Sequence, residues 1–417
     1  MTEAVMKGDL GENLRTLCDG KQLLCGLSVA YGTAKEQASL LYGYRRKAVP
    51  TDEGFRDAPL PLEEDSLFDI ASLTKFFCLL LLLRLKEDGR LRLDDEICSL
   101  DARFHRLSGV SVGDVLCYGK HLSTPLRVDT AEDREEGLRR LFDIGVAPRP
   151  AVRLYSDMNA MVLKYVCEAA SGLAFYEALK RYILSPLGLC ETFAAVPEAL
   201  RGRIVSCNLE HQIIGENYIL RTDILPGTPH DPKARLLSMN GEDLCGHAGL
   251  FSTRSDLVRL CRGLLSGGLL SYGTLMEIGK NRTGIAYPDG THRQYLGMIC
   301  HVKHPDQYYS EVPSFMTDAS FGLSGFTGHH LSVDPVLGCF VLYLGSRCHM
   351  HVSRLVPPVG RTPQDYGLAA DGSGTVLWPD SRLVPSSASW VHFKDEWLHA
   401  PVEAEMRKRG WLSASCR

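Results

Sequence analysis

Apolar positions along the 417-residue chain change period several times, and each change marks a different element. Alternation at residues 23–31 and 37–44 predicts two strands, with Gly32-Thr33-Ala34-Lys35 as the turn between them. A short amphipathic helix over 12–17, ending near Gly20, precedes them, and a stretch rich in proline and charge (50–64) predicts a loop after them. Ala71-Ser72-Leu73-Thr74-Lys75 then opens a strongly apolar helix that Asp88-Gly89 stops. Between 93 and 236 helix and loop dominate. Helical periods run over 130–142, 159–170 (closed by Ser171-Gly172) and 175–184, whereas 204–232 has little periodicity and predicts long loops. Residues 246–253 lead into a helix over 255–265 with Thr253 or Ser255 as N-cap, and strand patterns return at 295–301, 330–333 and 338–344.

Strands therefore lie towards both ends, with a helical block between them. The economical architecture is of the α/β (α+β) class: an antiparallel sheet built from both termini and flanked by helices, with an all-helical insertion. The expected division is a sheet domain from 1–92 with 237–350, a helical domain at 93–236, and a C-terminal extension at 351–417. That extension is proline-rich and includes Trp378, Trp390, Trp397 and Trp411, which are all the tryptophans of the chain. Clustered tryptophan predicts order rather than a disordered tail, with a helix over 402–408 stopped by Gly410.

Composition narrows the function classes. With 45% hydrophobic and 23% charged residues the chain is an ordinary globular one, and a net charge of -4 gives no electrostatic case for nucleic acid or an anionic membrane. The 14 cysteines are spread along the chain without a Cys-x-x-Cys pair, which predicts buried free thiols rather than a zinc ribbon. Cys348-His349-Met350-His351 comes nearest to a soft-metal cluster, but its spacing fits no zinc pattern. The N-terminus has acidic residues and no apolar core, and the longest apolar run (76–83) is too short to span a bilayer. A cytoplasmic protein with no membrane span is the expectation; a periplasmic one would require a leader already removed.

Three segments carry chemistry. In Ser72-Leu73-Thr74-Lys75, positions i and i+3 share a helix face, so the ammonium can meet the hydroxyl at a positive helix N-terminus. A serine becomes a nucleophile when a neighbouring base takes its proton. Tyr155-Ser156-Asp157 precedes the next helix, and a tyrosine close to a lysine is pushed towards the phenolate and so towards use as a base. Gly322-Leu323-Ser324-Gly325-Phe326-Thr327-Gly328 predicts a small-residue turn whose N–H groups can stabilise an oxyanion. A capped helix, a packed tyrosine and a glycine-rich turn are the plain readings of the same segments.

Taken in this order, the three motifs resemble those of the serine β-lactamase and penicillin-binding-protein family. The closer likeness is to the class C β-lactamase, D-alanyl-D-alanine carboxypeptidase and esterase branch, whose middle motif is Tyr-x-Asn. Phe68-Asp69-Ile70-Ala71 before Ser72, Glu87-Asp88-Gly89-Arg90-Leu91, Leu93-Asp94-Asp95 and Gly246-His247-Ala248-Gly249-Leu250-Phe251-Ser252-Thr253 are similar to further family segments. The resemblance runs from about residue 23 to 349 and implies a β-lactamase/transpeptidase-like fold. It implies that Ser72 is acylated, that Lys75 and Tyr155 share the proton transfers, and that the N–H groups of Ser72 and Phe326 form the oxyanion hole. Ser324, beside Gly325, would touch the polar end of a small-molecule ester, amide or peptide substrate. Branch members use no metal and no organic cofactor.

Two positions depart from the family pattern. Asp157 stands where asparagine contacts a substrate amide, and Leu323 stands where lysine supplies a cation for a β-lactam carboxylate. Losing a charge-assisted contact costs about 1.5–3 kcal/mol, or roughly one to two decades of affinity for anionic substrates. That argues against a dedicated penicillinase. His247 is read as structural, and His329 and His330 as neighbours of the cleft. Two readings stay open: hydrolysis of an ester or amide through an acyl-serine, and a catalytically weak binding or scaffold protein on the same fold. Oligomeric state is not encoded in these patterns.

Overall fold

Alternation along the central strands sends side chains into two separate cores. The computed structural model describes residues 9–238, 243–305 and 311–412; the N-terminal segment read for a signal, apart from its last two residues, and Cys416 lie outside these. The strands used below are β1 (Gly26–Thr33), β2 (Gln37–Thr51), β3 (Gly54–Pro61), β4 (Glu210–Ile214), β5 (Asn217–Arg221), β6 (His301–Val302), β7 (Phe321–Gly325), β8 (His329–Asp334), β9 (Cys339–Gly345) and β10 (Val352–Val356). One sheet has the order β6-β7-β8-β9-β1-β2-β3, antiparallel at every pairing. Strands from both termini thus meet at β9-β1, the arrangement expected from the sequence. On β9, Phe340, Leu342 and Leu344 enter the larger core, whereas Cys339, Val341 and Tyr343 enter the second core on the opposite face.

Helices cover both faces. The helices used below are α1 (Leu10–Arg15), α2 (Thr74–Glu87), α3 (Asp157–Ser171), α4 (Arg254–Leu265), α5 (Trp390–Lys394) and α6 (Ala400–Lys408). From Phe76 to Leu83 helix α2 is apolar all round because it is buried all round, and it packs against α3. Helix α4 lies on β1 and β9, with Thr253 rather than Ser255 as its cap. On the other face Leu14 and Leu17 pack with Leu398, Val402 and Met406 of the extension. The extension is ordered as expected, and its last helix stops before Gly410, at φ +73°. Among the described residues no helix is long and apolar enough to cross a membrane.

Several expectations need correction. The predicted loop at 50–64 is the end of β2 and the strand β3, a hairpin at the sheet edge. Being largely exposed, it needs no alternation, and an edge tolerates Pro50, Pro59 and Pro61. The predicted loops at 204–232 contain the hairpin β4-β5 around Gly215, and β10 adds to β4 in parallel. Five-residue strands are too short to show a period, and their third partner lies far along the chain. Of 295–301 only His301 belongs to a strand, because Ile299 takes φ +59° and a Cβ on Gly297 would sit 2.0 Å from the Ile278 carbonyl oxygen. The helix predicted over 130–142 starts at Arg134, where the Asp133 carboxylate accepts from the Glu136 N–H. The third motif is not a turn from its start: residues 321–325 are strand β7.

The described cysteines are free thiols, most of them buried. Within 348–351, His349 Nδ1 lies 2.6 Å from the Asn208 carbonyl and its Nε2 accepts from the Lys47 N–H at 2.9 Å. These imidazole nitrogens are spent on joining backbone segments.

Candidate active site

Ser72 sits in a single tight turn, Ala71–Leu73, immediately before α2. Ala71 adopts φ +45°, an uncommon conformation for a residue with a Cβ. Asp69 holds it there: its buried carboxylate accepts from the N–H of Ala71 at 2.9 Å and of His230 at 2.6 Å. The Asp69 carbonyl in turn receives the Thr327 hydroxyl at 2.9 Å and lies 2.7 Å from His329 Nε2. The first and third motifs are thereby tied together. Gly325 is required at this crossing, since a Cβ would approach the Ile70 carbonyl oxygen to 2.9 Å.

Lys75 is 0% exposed, and its Nζ donates to Ser72 Oγ at 2.8 Å and pairs with Asp157 Oδ1 at 2.8 Å. Burial alone would lower the pKa of this ammonium, but the Asp157 carboxylate outweighs burial and raises it. The other oxygen of Asp157 pairs with Lys233 at 2.9 Å. Despite burial, Lys75, His247 and Lys233 hold the Asp157 carboxyl well below its ordinary range. Asp231 completes the run, 3.5 Å from Lys233 Nζ and 2.9 Å from His247 Nε2. Both oxygens of Asp157 are therefore engaged by cations, which explains an acid where an amide was expected.

Tyr155 lies over this ammonium, with Lys75 Nζ 5.0 Å from its ring centroid and His301 stacked on it at 5.1 Å. Gln294 fixes the loop by accepting the N–H groups of Leu154 and Tyr155, both at 2.8 Å. The Tyr155 hydroxyl is buried beside Lys75, whose pKa it helps to raise, and forms no other hydrogen bond of good geometry among the described residues. A buried hydroxyl without a well-formed hydrogen bond is costly, so one beside a candidate nucleophile points to a group that receives a substrate or proton.

A cavity of about 580 Å³ is lined by Ser72, Tyr155, Asp157, Ser324, Gly325 and Phe326 together. Leu323 is not among them: it is 1% exposed and packs in the main core, while Ser324, its neighbour on β7, faces the cavity. Ser324 Oγ donates to Glu311 Oε2 at 2.6 Å and accepts from Lys394 Nζ at 2.9 Å. Lys394 comes from α5 in the extension, is 2% exposed, and lies 2.8 Å from the same Glu311 oxygen. Burial would raise the Glu311 carboxyl, but Lys394 and His301 bring it down to about 2. His330 Nδ1 lies 3.2 Å from both Ser324 Oγ and Lys394 Nζ, and burial together with Lys394 keeps it well below its ordinary range, hence neutral. The Phe326 ring lies between His230, stacked at 5.2 Å, and the Arg347 guanidinium at 4.7 Å.

Lys233, Asp231, Glu311 and Lys394 were not anticipated from the sequence. None sits in a local pattern, and only the fold brings them beside the three motifs. Among the described residues, Asp157–Asp231–His247 and Glu210–His230–Cys348 have donor atoms close enough to share a cation. Side-chain cations already occupy both groups: Lys75 and Lys233 on Asp157, and Arg221 on Glu210 at 3.0 Å.

Known proteins show the family to which the chain is related. A protein of Escherichia coli (strain K12) named "Putative D-alanyl-D-alanine carboxypeptidase" is 26% identical over 324 residues, spanning 71% of this chain and 73% of that one. An Aspergillus terreus simvastatin synthase variant shares the fold, with a TM-score of 0.64 at 14% identity over 96% of this chain and 95% of its own. EstCE1, described as a hydrolase with promiscuous acyltransferase activity, has a TM-score of 0.61 at 18% identity over 81% of this chain and 94% of its own. The family model described as Beta-lactamase matches residues 25–357, which include all three motifs, and the chain belongs to the Beta-lactamase family.

Proposed function

We propose that the protein is a serine hydrolase that cleaves an ester or amide (a carboxylic ester, a D-alanyl peptide or a β-lactam) through an acyl-Ser72 intermediate. The observation that carries this reading is the 2.8 Å contact from a buried, cationic Lys75 to Ser72 Oγ, beside the buried hydroxyl of Tyr155. In the proposed reaction Ser72 Oγ attacks the carbonyl carbon while the deprotonated form of Tyr155 accepts its proton. Lys75, held as an ammonium by Asp157, stabilises the negative charge that develops on Oγ. The N–H groups of Ser72 and Phe326 receive the carbonyl oxygen as it becomes an oxyanion. Tyr155 then returns the proton to the leaving alcohol or amine, and water releases the acyl group by the reverse sequence. The carboxypeptidase name of the Escherichia coli relative and the hydrolase description of EstCE1 support the same reaction class.

A fluorophosphonate probe should label the wild type at Ser72, and Ser72→Ala should lose labelling together with at least about a thousandfold of ester hydrolysis. A screen of short-chain p-nitrophenyl esters, D-alanyl dipeptides and nitrocefin, run beside Ser72→Ala, ranks the substrates. Absence of labelling in a folded wild type would reject the reading in favour of a binding protein on this fold.

A further inference from the structure

A hydroxyl and an ammonium side by side, on a cavity wall that also carries a nucleophile, form an anion-binding pair by their chemistry. Ser324 Oγ and Lys394 Nζ are such a pair, 2.9 Å apart, and both line the cavity that Ser72 lines. The anion is already supplied from within the chain. A single oxygen of Glu311 accepts the hydroxyl at 2.6 Å and the ammonium at 2.8 Å. Glu311 faces the cavity with its side chain 18% exposed, whereas Lys394 lies behind it at 2%. His330 beside them is neutral and brings no second positive charge.

We propose that Glu311 occupies the anion position of the active site, so that Glu311 and Lys394 determine specificity. The site then takes acyl compounds whose group facing Ser324 is neutral or cationic, and disfavours those that place a carboxylate there. An incoming carboxylate must either displace Glu311 from a buried ion pair or lie against it as a like charge, and both are costly where water is excluded. Arg153 and Arg354 also line the cavity, outside the Ser324–Lys394–Glu311 contact, and four other cations of the lining are engaged. Lys233 is held by Asp157, Arg221 by Glu210 and Arg127 by Asp129, and Arg347 donates to backbone carbonyls. Helix α5 of the extension thereby contributes directly to what the cleft admits. The inference rests on the acyl-serine reading and deepens it by naming the substrate class.

The test compares kcat/KM for phenyl acetate, 3-carboxyphenyl acetate and phenyl hydrogen succinate, which carry no charge, a charge on the leaving group and a charge on the acyl group. Wild type should disfavour at least one charged ester about tenfold or more relative to phenyl acetate. Glu311→Gln keeps the shape and frees Lys394, and should erase or reverse that discrimination. Glu311→Gln/Lys394→Met, with neither charge, should bring the ratio near one. A wild type that favours both charged esters, or a folded Glu311→Gln with an unchanged ratio, overturns the proposal. If Glu311→Gln does not fold, the wild-type ratios decide alone. A binding measurement separates this inference from the acyl-serine reading. Calorimetry on Ser72→Ala should give tighter binding of 3-hydroxybenzamide than of 3-hydroxybenzoate, whether or not any ester is turned over, and the opposite order overturns the proposal.

Discussion

Asp157 carries Lys75 on one oxygen and Lys233 on the other, so two ammonium groups share a single carboxylate beside the nucleophile. Asparagine would keep the shape, leave Lys75 without a counter-charge and leave Lys233 with Asp231 at 3.5 Å. Asp157→Asn should therefore destabilise the fold by on the order of 3 kcal/mol, measured by urea denaturation near neutral pH. It should also change the pH–rate profile. Asp157 raises the pKa of the Lys75 ammonium, so removing the carboxylate lowers it, and the loss of kcat/KM at alkaline pH should set in earlier. An alkaline limb that does not move would detach Lys75 from the rate. At this scale the site was legible where neighbours in sequence are neighbours in space: Ser72 with Lys75, and Ser324 with Gly325. The departure at Asp157 was visible as a departure, but its reason was not. Lys233 reaches Asp157 only through a different helix, and no local pattern records that pairing.

At the scale of elements, the extension packs its helices on the main sheet and adds a strand to the smaller one that holds β4 and β5. Leu398, Val402 and Met406 share a core with Val29, Val341 and Tyr343 of the central strands, and β10 pairs with β4. All four tryptophans lie in the extension, so their fluorescence reports on it directly. Unfolding followed by tryptophan fluorescence and by far-UV circular dichroism should give coincident transitions. Leu398→Ala should shift both together by about 2–5 kcal/mol, since Leu398 is fully buried and cannot be replaced without a cavity. Separate transitions would mean an independent module. The elements legible in the sequence were those with a long period and a physical stop: α2 ending at Gly89, α3 at Gly172 and α6 before Gly410. The hairpin β4-β5 and strand β3 were not. Strand β3 is an exposed edge, and β4 is set between β5 and a strand that follows it by well over a hundred residues.

At the scale of the whole molecule, imidazoles buried throughout the fold couple stability to pH. Burial pushes His211, His329, His349 and His351 down to about 4, from an ordinary value near 6.5. Between these values the unfolded chain binds protons that the folded chain does not, so stability falls as pH drops from about 6.5 to about 4. Each such histidine contributes a slope of up to about 1.4 kcal/mol per pH unit in that window. His230 acts in another range. Burial opposes its charge, but Cys348 and Glu210 raise its pKa, so it is protonated in both states below 6.5 and adds no slope there. Glu210 and Glu311, held at about 2, lose their contribution only as pH falls from about 4.5 towards 2. The expected profile therefore declines in two stages, histidines first and carboxylates second. Unfolding free energies from urea titrations at pH 7, 6 and 5 should decline with a slope of at least about two protons, roughly 3 kcal/mol per pH unit. His349→Gln should reduce that slope by about one proton, even if it lowers stability overall by losing the bonds to Asn208 and Lys47. Stability that stays level from pH 7 to 5 would mean that these imidazoles take up protons without unfolding.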